Sequence, residues 1–212
     1  MEELTLLTYP GPNDLKVRIM LAEVAAQYVV KQIDIKKGEQ FHPGFLALSP
    51  NNKIPVLLDT SEGSVTIFET GAILTYLAEK YGCLLPGDQP RRAQTFAWLH
   101  FGTGGLGSTL PQLHHYLDTP QSPRVAVDRF AQEAIRLFSV LEHHLASNEY
   151  LAGEYTIADI PSYVSTSGWL RRVKALSDGK LQETPHINRW LGLIAGRVAV
   201  SSAANAARGS GE

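Results

Sequence analysis

Four short stretches hold residue types that could do chemistry together. Lys53-Ile54-Pro55 comes just before an apolar run, Val56-Leu57-Leu58. A proline there withholds an amide from a sheet ladder, and in its cis form it turns the N–H and C=O of the preceding residue outward. Such a backbone pair can bind an extended peptide as an added strand; a plain trans proline opening a strand is the competing reading. Phe68-Glu69-Thr70-Gly71-Ala72-Ile73 runs from a strand straight into a helix. Glu69 and the Thr70 hydroxyl suit an ammonium group, and the first helical amides suit a carboxylate, although an ordinary N-cap uses the same residues. Taken together, the two stretches suit a small peptide with a free amino-acid end.

The third stretch, Gly11-Pro12-Asn13-Asp14-Leu15-Lys16, opens a helix. The Asn13 amide can donate a hydrogen bond and the helix end adds partial positive charge, so a thiolate placed there is favoured; Asn13 also reads as an N-cap. The fourth, Gly102-Thr103-Gly104-Gly105-Leu106-Gly107, interrupts a helical pattern. Each interior glycine costs roughly 1 kcal/mol relative to alanine. The run therefore implies a bend, a close helix contact or an opening beside a ligand, with a simple loop as the alternative. His114-His115 and His143-His144 are adjacent pairs, which point in different directions on a helix and do not share a metal. The sole cysteine, Cys83, sits at a predicted helix end without a basic neighbour, a poor setting for a nucleophile.

The elements that must position these stretches alternate at first. Leu4 to Thr8 is a strand stopped by Pro10-Gly11-Pro12; Val17, Met20, Leu21 and Val24 recur at helical spacing; Val29 to Ile35 is a second strand, expected parallel to the first. Phe41 to Leu48 is a short helix. Val56 to Leu58 and Val65 to Phe68 form an antiparallel hairpin, and Thr70 to Tyr81 is an amphipathic helix. That order is the order of a thioredoxin-like domain. After Pro86-Gly87-Asp88-Gln89-Pro90 only helical patterns follow: Val127 to Leu145 carries one apolar face over five turns, and Ile187, Trp190, Leu191 and Ile194 form another. Thr156-Ile157-Ala158-Asp159 is a capping box in which the acid reaches back three residues, flanked by Tyr155 and Ile160 as a staple. From Ser201 the Ala, Ser and Gly content predicts a frayed tail.

Composition narrows the function classes. With 44% hydrophobic and 19% charged residues in 212, the chain can bury a core for two small domains. Lys and Arg number 19 against 21 Asp and Glu, without long runs of one sign, which points away from nucleic acid and anionic membranes. Met1-Glu2-Glu3 lacks the basic start of a secretory signal, and no apolar run is long enough to span a bilayer, so a cytoplasmic protein is expected.

The motifs occur in a familiar sequence. Gly11-Pro12-Asn13 with Lys16-Val17, Gly38-Glu39-Gln40-Phe41, Pro50-Asn51-Asn52-Lys53-Ile54-Pro55, Glu69-Thr70-Gly71-Ala72-Ile73, Gly104-Gly105-Leu106-Gly107 and Tyr155-Thr156-Ile157-Ala158-Asp159-Ile160 stand in register. Over nearly its whole length the chain resembles the cytosolic glutathione transferases, and within them the class related to the fungal nitrogen-catabolite regulator and its bacterial homologues. The resemblance implies an α/β thioredoxin-like N-terminal domain over residues 1–85 that binds glutathione, and an all-α C-terminal domain over 86–212 with a second-substrate pocket for a small hydrophobic or electrophilic molecule. It implies a cis bond at Pro55, with Ile54 backbone groups pairing with the cysteinyl part of glutathione. Glu69 and Thr70 would hold the γ-glutamyl end, Gln40 and Lys53 would lie near the glycyl carboxylate, and Arg129 would reach glutathione from the partner subunit of a homodimer. Asn13 matches the asparagine that faces the sulfur.

Some positions depart from the pattern. Gly11 stands where relatives often have threonine, leaving Tyr9 and Thr8 as substitutes ranked below Asn13, and Ser108 and Pro111 alter the glycine-rich segment. No cysteine lies near the first helix, which argues against the cysteine-dependent reductases of the omega type. The implied activity is activation of the glutathione thiolate toward an electrophile. Glutathione-dependent isomerisation, disulfide reduction and a non-catalytic regulatory role are the alternatives.

Overall fold

A computed structural model describes residues 3–61, 63–181 and 183–209, which form two compact units. The first opens with β1 (Leu4–Thr8), α1 (Pro12–Glu23) and β2 (Tyr28–Gln32). A 3-10 turn at Glu39–Phe41 and the single-turn α2 (Pro43–Leu46) lead to β3 (Val56–Asp59), β4 (Val65–Phe68) and α3 (Thr70–Tyr81). The sheet order is β2-β1-β3-β4, with β1 parallel to β2 and antiparallel to β3, and β3 antiparallel to β4. Its core is Leu4, Leu6, Leu7, Val56 and Leu57 from the strands against Val17, Ile19, Met20, Ile73, Leu74 and Leu77 from the helices. These fold and topology observations agree with the expected thioredoxin-like order.

Two local boundaries differ from the sequence reading. The second strand stops at Gln32, because Asp34 starts a turn in which its carboxylate accepts from the amides of Lys36 (3.0 Å) and Lys37 (3.3 Å). The helix expected over 41–48 is split: Pro43, which has no N–H, starts a new helix, and His42 before it is held extended with φ −66° and ψ 139°. By contrast, α3 ends at Tyr81 because Gly82 takes a left-handed turn at φ 65°.

The second unit spans Pro86–Gly196 and is helical: α4 (Gln89–His100), α5 (Gly107–Asp118), α6 (Arg124–Leu145), α7 (Asp159–Leu176) and α8 (Pro185–Ala195). Asp88 caps α4 by accepting from the Arg91 amide at 3.0 Å. The glycine-rich segment is neither loop nor ordinary helix. Phe101–Leu106 is a π-helical turn running directly into α5. Close helix contact explains one of its glycines, since a Cβ at Gly102 would lie 2.5 Å from the Ser162 hydroxyl on α7. On α6 the expected apolar face is buried through Ala134, Leu137, Phe138, Leu141 and Leu145.

Of the stretch predicted to fray, 201–209 is instead part of a helix, α9 (Val198–Gly209), and 210–212 lie outside the described residues. It packs on α1, burying Val200 and Ala203, and Arg197 clamps Glu23 with bonds of 2.7 and 2.8 Å. Residues 197–209 therefore belong to the first unit, whereas the sequence reading places 86–212 in the helical domain.

The helical unit turns on Asp159. Its Oδ2 accepts from the Thr156 amide at 3.0 Å, the reach-back expected of the acid, although α7 starts only at Asp159 with Ala158 as its cap and the Thr156 hydroxyl accepts from the Ala158 amide; its Oδ1 accepts from the Leu151 amide (3.0 Å) and Trp190 Nε1 (2.9 Å). Asp159 and Trp190 are fully buried. Replacing the carboxylate strands the buried Leu151 and Thr156 amides and the Trp190 Nε1, and removes a longer bond from the Thr156 hydroxyl, so Asp159→Ala is expected to lower stability by at least about 3 kcal/mol. Trp190→Phe, which removes one donor and keeps most of the ring, is expected to cost less. Urea unfolding of both variants checks the order; equal losses would show that the carboxylate does not organise this junction.

Candidate functional site

One row across the sheet gathers the site. The register pairs Leu7 of β1 with Val56 of β3, and Val56 with Phe68 of β4. One residue beyond that row lie Thr8, from which the chain enters α1, Pro55 and Glu69. Asn13, Lys53, Ile54, Pro55, Glu69 and Thr70, six of the residues singled out from sequence, line one cavity of about 150 Å³. Ser49, Asn51 and Phe68 line it too.

The Ile54-Pro55 bond is cis, as the resemblance implies. The Ile54 side chain packs against the buried cluster of Leu7, Ile33, Phe45 and Val56, leaving its backbone as the part of the residue that can serve a ligand. Ser49, fully buried, donates from Oγ to the Lys53 carbonyl at 2.9 Å, and the Asn52 amide donates to the Ser49 carbonyl at 2.9 Å. These bonds fold the segment before β3 into a turn with Asn52 at φ 49°.

Glu69 stands at the junction of β4 and α3 with φ 71° and ψ 124°, a region that side chains with a Cβ rarely enter. It is the backbone cap of α3, and the nearly buried Thr70 is the first helical residue. Asn51 reaches across the cavity and donates from Nδ2 to Glu69 Oε1 at 3.1 Å. Strain at Glu69 and a neutral donor holding its carboxylate together place a fixed negative charge on the cavity wall. Nothing in the Pro50-Asn51-Asn52 run alone marked Asn51 for this contact; its pairing with Glu69, 18 residues away, is visible only once β3 and β4 are paired.

At the start of α1 the cap is Gly11, with Pro12 in the first turn, so Asn13 is not the N-cap. Its exposed side chain accepts instead from Lys16, whose Nζ lies 3.0 Å from Asn13 Oδ1. Lys16 is only 4% exposed, and burial pushes its pKa down to about 8. Next to Asn13, the buried Asp14 carboxylate is bonded to Arg18 Nε at 2.8 and 2.9 Å. Burial raises the Asp14 pKa, and the Arg18 guanidinium opposes that rise.

The other candidates lie elsewhere. Gln40 is in the 3-10 turn and is not among the residues lining the cavity; its Oε1 is buried without a hydrogen-bond partner among the described residues. Arg129 is exposed on α6, where its charge helps hold the Glu133 carboxylate below its usual range, after the hydrogen bond from Arg136. Tyr9 does not line the cavity, and the Lys36 ammonium sits 5.8 Å from its ring centroid. Burial and then Glu23 push the Cys83 thiol up, the reverse of an activated nucleophile.

The cavity thus combines the Glu69 carboxylate, the Thr70 hydroxyl at a helix start, Lys53, Ile54 and the Asn13 side-chain amide. That set suits an extended peptide carrying an amino-acid end and a polarisable group near Asn13. The description "Glutathione S-transferase, N-terminal domain" matches residues 2–79, and "Glutathione S-transferase, C-terminal domain" matches 108–197. The disulfide-bond oxidoreductase YfcG of Escherichia coli is 41% identical, the match covering 77% of this chain and 79% of that protein. A Pseudomonas fluorescens glutathione transferase family member, solved with two glutathione bound, superposes with a TM-score of 0.87 at 34% identity, over 95% of this chain and 92% of that one. The Phanerochaete chrysosporium transferase URE2P6, solved with oxidized glutathione, gives 0.88 at 28% identity, over 98% and 97% of the two chains.

The backbone at Glu69 yields a direct test. At ordinary helical or strand positions alanine is more stable than glycine, but a positive φ reverses the order because glycine adopts it without a Cβ penalty. Glu69→Gly is therefore expected to unfold at higher urea than Glu69→Ala, by about 1 kcal/mol. An alanine variant equal to or more stable than the glycine one would show that the junction is unstrained.

Proposed function

The chain belongs to the glutathione S-transferase family, and from that membership we propose that it binds glutathione in the cavity beside the Leu7–Val56–Phe68 row and activates its thiol. The observation that carries this reading is the convergence of Asn13, Ile54, Glu69 and Thr70 on that cavity. Glu69 and Thr70 receive the γ-glutamyl end, the Ile54 backbone pairs with the cysteinyl unit, and Lys53 meets the glycyl carboxylate. Gln40, in the preceding turn, stands as a further contact for that carboxylate. The sulfur then faces Asn13.

A free thiol titrates near ~8.5. A donor aimed at sulfur binds the thiolate better than the thiol, and the positive end of α1 adds to the preference. The thiolate then attacks a small hydrophobic or electrophilic partner. Glutathione-dependent isomerisation uses the same thiolate catalytically, releasing glutathione unchanged.

A second reading is favoured by the names of the relatives: YfcG is a disulfide-bond oxidoreductase and URE2P6 was solved with oxidized glutathione. Here the thiolate attacks one sulfur of a disulfide and the other sulfur leaves as thiolate; a second glutathione then displaces the substrate sulfur, giving glutathione disulfide and two reduced thiols. Counting glutathione consumed per product separates the outcomes, with one for conjugation, two for reduction and none for isomerisation.

The same reading makes the protein a homodimer in which Arg129 reaches the glutathione of the partner. Its exposure on α6 supports this role. Light scattering at micromolar concentration is expected to give twice the chain mass, and a monomer would overturn the assignment.

The division of labour in the site is also testable. Glu69→Ala is expected to weaken glutathione binding in calorimetry more than Asn13→Ala, since Glu69 meets a full charge in ground-state binding. Asn13→Ala is expected to raise the pKa of bound glutathione by about one to two units, the equivalent of losing one hydrogen bond to a charged group at about 1.5–3 kcal/mol. Raising the pH should partly restore its turnover. Tyr9→Phe should shift the thiol less. Thiolate absorbance against pH decides this, and a large shift in Tyr9→Phe with none in Asn13→Ala would move the role to Tyr9.

A further inference from the structure

The amide of Asn13 has two ends of opposite character, and only one helps a thiolate. Its NH2 group donates, whereas its oxygen would repel a thiolate's charge. Which end faces the sulfur must be set by whatever holds the other end. Lys16, one turn further along α1, meets Oδ1 at 3.0 Å. A protonated lysine has three donors and no acceptor, so it can satisfy only the oxygen of the amide. Nδ2 has no recorded partner among the described residues, while the side chain lines the cavity.

We propose that Lys16 is a positioning residue for the thiol chemistry: by holding Oδ1 of Asn13 it turns the NH2 group toward the sulfur and locks the amide against flipping. This inference rests on the reading that Asn13 faces the glutathione sulfur. The placement of Lys16 supports it. At 4% exposure the side chain has little freedom to leave its contact, whereas Lys36, Lys37 and Lys53 are exposed. Burying an ammonium is costly, and burial alone accounts for the drop in its pKa to about 8, still above neutrality. A cation kept there against that cost, without a carboxylate partner among the described residues, is explained by the acceptor it holds. The neighbouring charges do not serve the same end, because Asp14 and Arg18 are bonded to each other.

A second consequence is electrostatic and acts in the same direction. The Lys16 ammonium polarises the amide it touches, making the Nδ2 hydrogens better donors. Lys16 thereby strengthens the bond to sulfur without touching the ligand.

The test compares the full-length wild type with Lys16→Met, Lys16→Arg and Asn13→Ala. Two quantities are read for each: glutathione affinity by calorimetry, and thiolate absorbance at neutral pH per bound glutathione. Lys16→Met keeps length and apolar packing but removes the donor. It is expected to lower the thiolate fraction about fivefold to tenfold while changing affinity less than about threefold, and Lys16→Arg, still an obligate donor, is expected to recover most of the thiolate. A merely structural lysine would lower affinity and thiolate together and would not discriminate arginine from methionine. If Lys16→Met does not fold, Lys16→Gln replaces it, since a glutamine amide can meet either end of Asn13 and no longer selects one. A thiolate fraction unchanged in the lysine variants but reduced in Asn13→Ala overturns the positioning role alone. A fraction unchanged in Asn13→Ala overturns the placement of the sulfur and the inference with it.

Discussion

The register of β3 is the constraint on which the rest of the site depends. Val56 is paired on one side with Leu7 and on the other with Phe68, so the chain just before β3, just after β4 and just after β1 must leave the sheet at the same edge. A slip of one residue would turn Val56 and its buried neighbours toward solvent and carry Ile54 and Glu69 to opposite faces. The cluster of Leu7, Ile33, Phe45 and Val56, with Leu48, Ile54 and Leu58 against it, opposes that slip. Ile54 thus serves twice, as an apolar anchor by its side chain and as a binding group by its backbone.

Two features then refine the edge that the register creates. The left-handed conformation of Glu69 reorients the chain between β4 and α3, and Asn51 holds the carboxylate that results. Below the sheet, Asp59 at the far end of β3 is bonded by Lys80, Tyr76 and Ser61, tying α3 to the strand it must stay beside. Burial alone would raise the Asp59 pKa, but those bonds hold it well below the usual carboxylate range. The strained end of α3 is therefore matched by a bonded one, and strain of this kind persists only where surrounding structure fixes it.

How much was legible in the sequence follows from the range of each interaction. β4 and α3 are read to the residue because their signals are local: a β-branched run, a helical repeat and Gly82 as the stop. Of the two readings of Asn13, the N-cap does not occur, because the cap of α1 lies two residues earlier at Gly11, with Pro12 in the first turn. The tail was misjudged for a different reason. Its Ala- and Ser-rich composition gives little sign of burial, and what orders α9 is the face of α1 together with the Arg197–Glu23 pair, 174 residues apart in sequence. The charge of Lys16 gives no sign of burial in the sequence; its burial and its bond to Asn13 are visible only in the structure. Gln40 stands in a sequence motif, and the turn holding it lies outside the residues that line the cavity. The six cavity residues were found because chemistry and motif agree there; Ser49 and Asn51 were missed because their work is to hold other residues.

On the proposed reading, an amide is a better choice beside the sulfur than a stronger acidifying group. Thiolate reactivity is a product of two opposing factors: the ionised fraction rises as the thiol pKa falls, while the nucleophilicity of each thiolate drops with a Brønsted slope of about 0.4–0.5. The product is greatest when the pKa lies near ambient pH. Starting from about 8.5, a shift of one to two units reaches that range, and one charge-assisted hydrogen bond supplies a shift of that size. A cation in direct contact with sulfur would go further, leaving a fully ionised but weaker nucleophile. Keeping the Lys16 charge one side chain away, behind Asn13, lets it act through the amide and not on the sulfur itself. The buried cation behind and the neutral donor in front therefore divide the task, the cation setting where the hydrogen bond points and the neutral amide limiting how strongly the thiol is acidified.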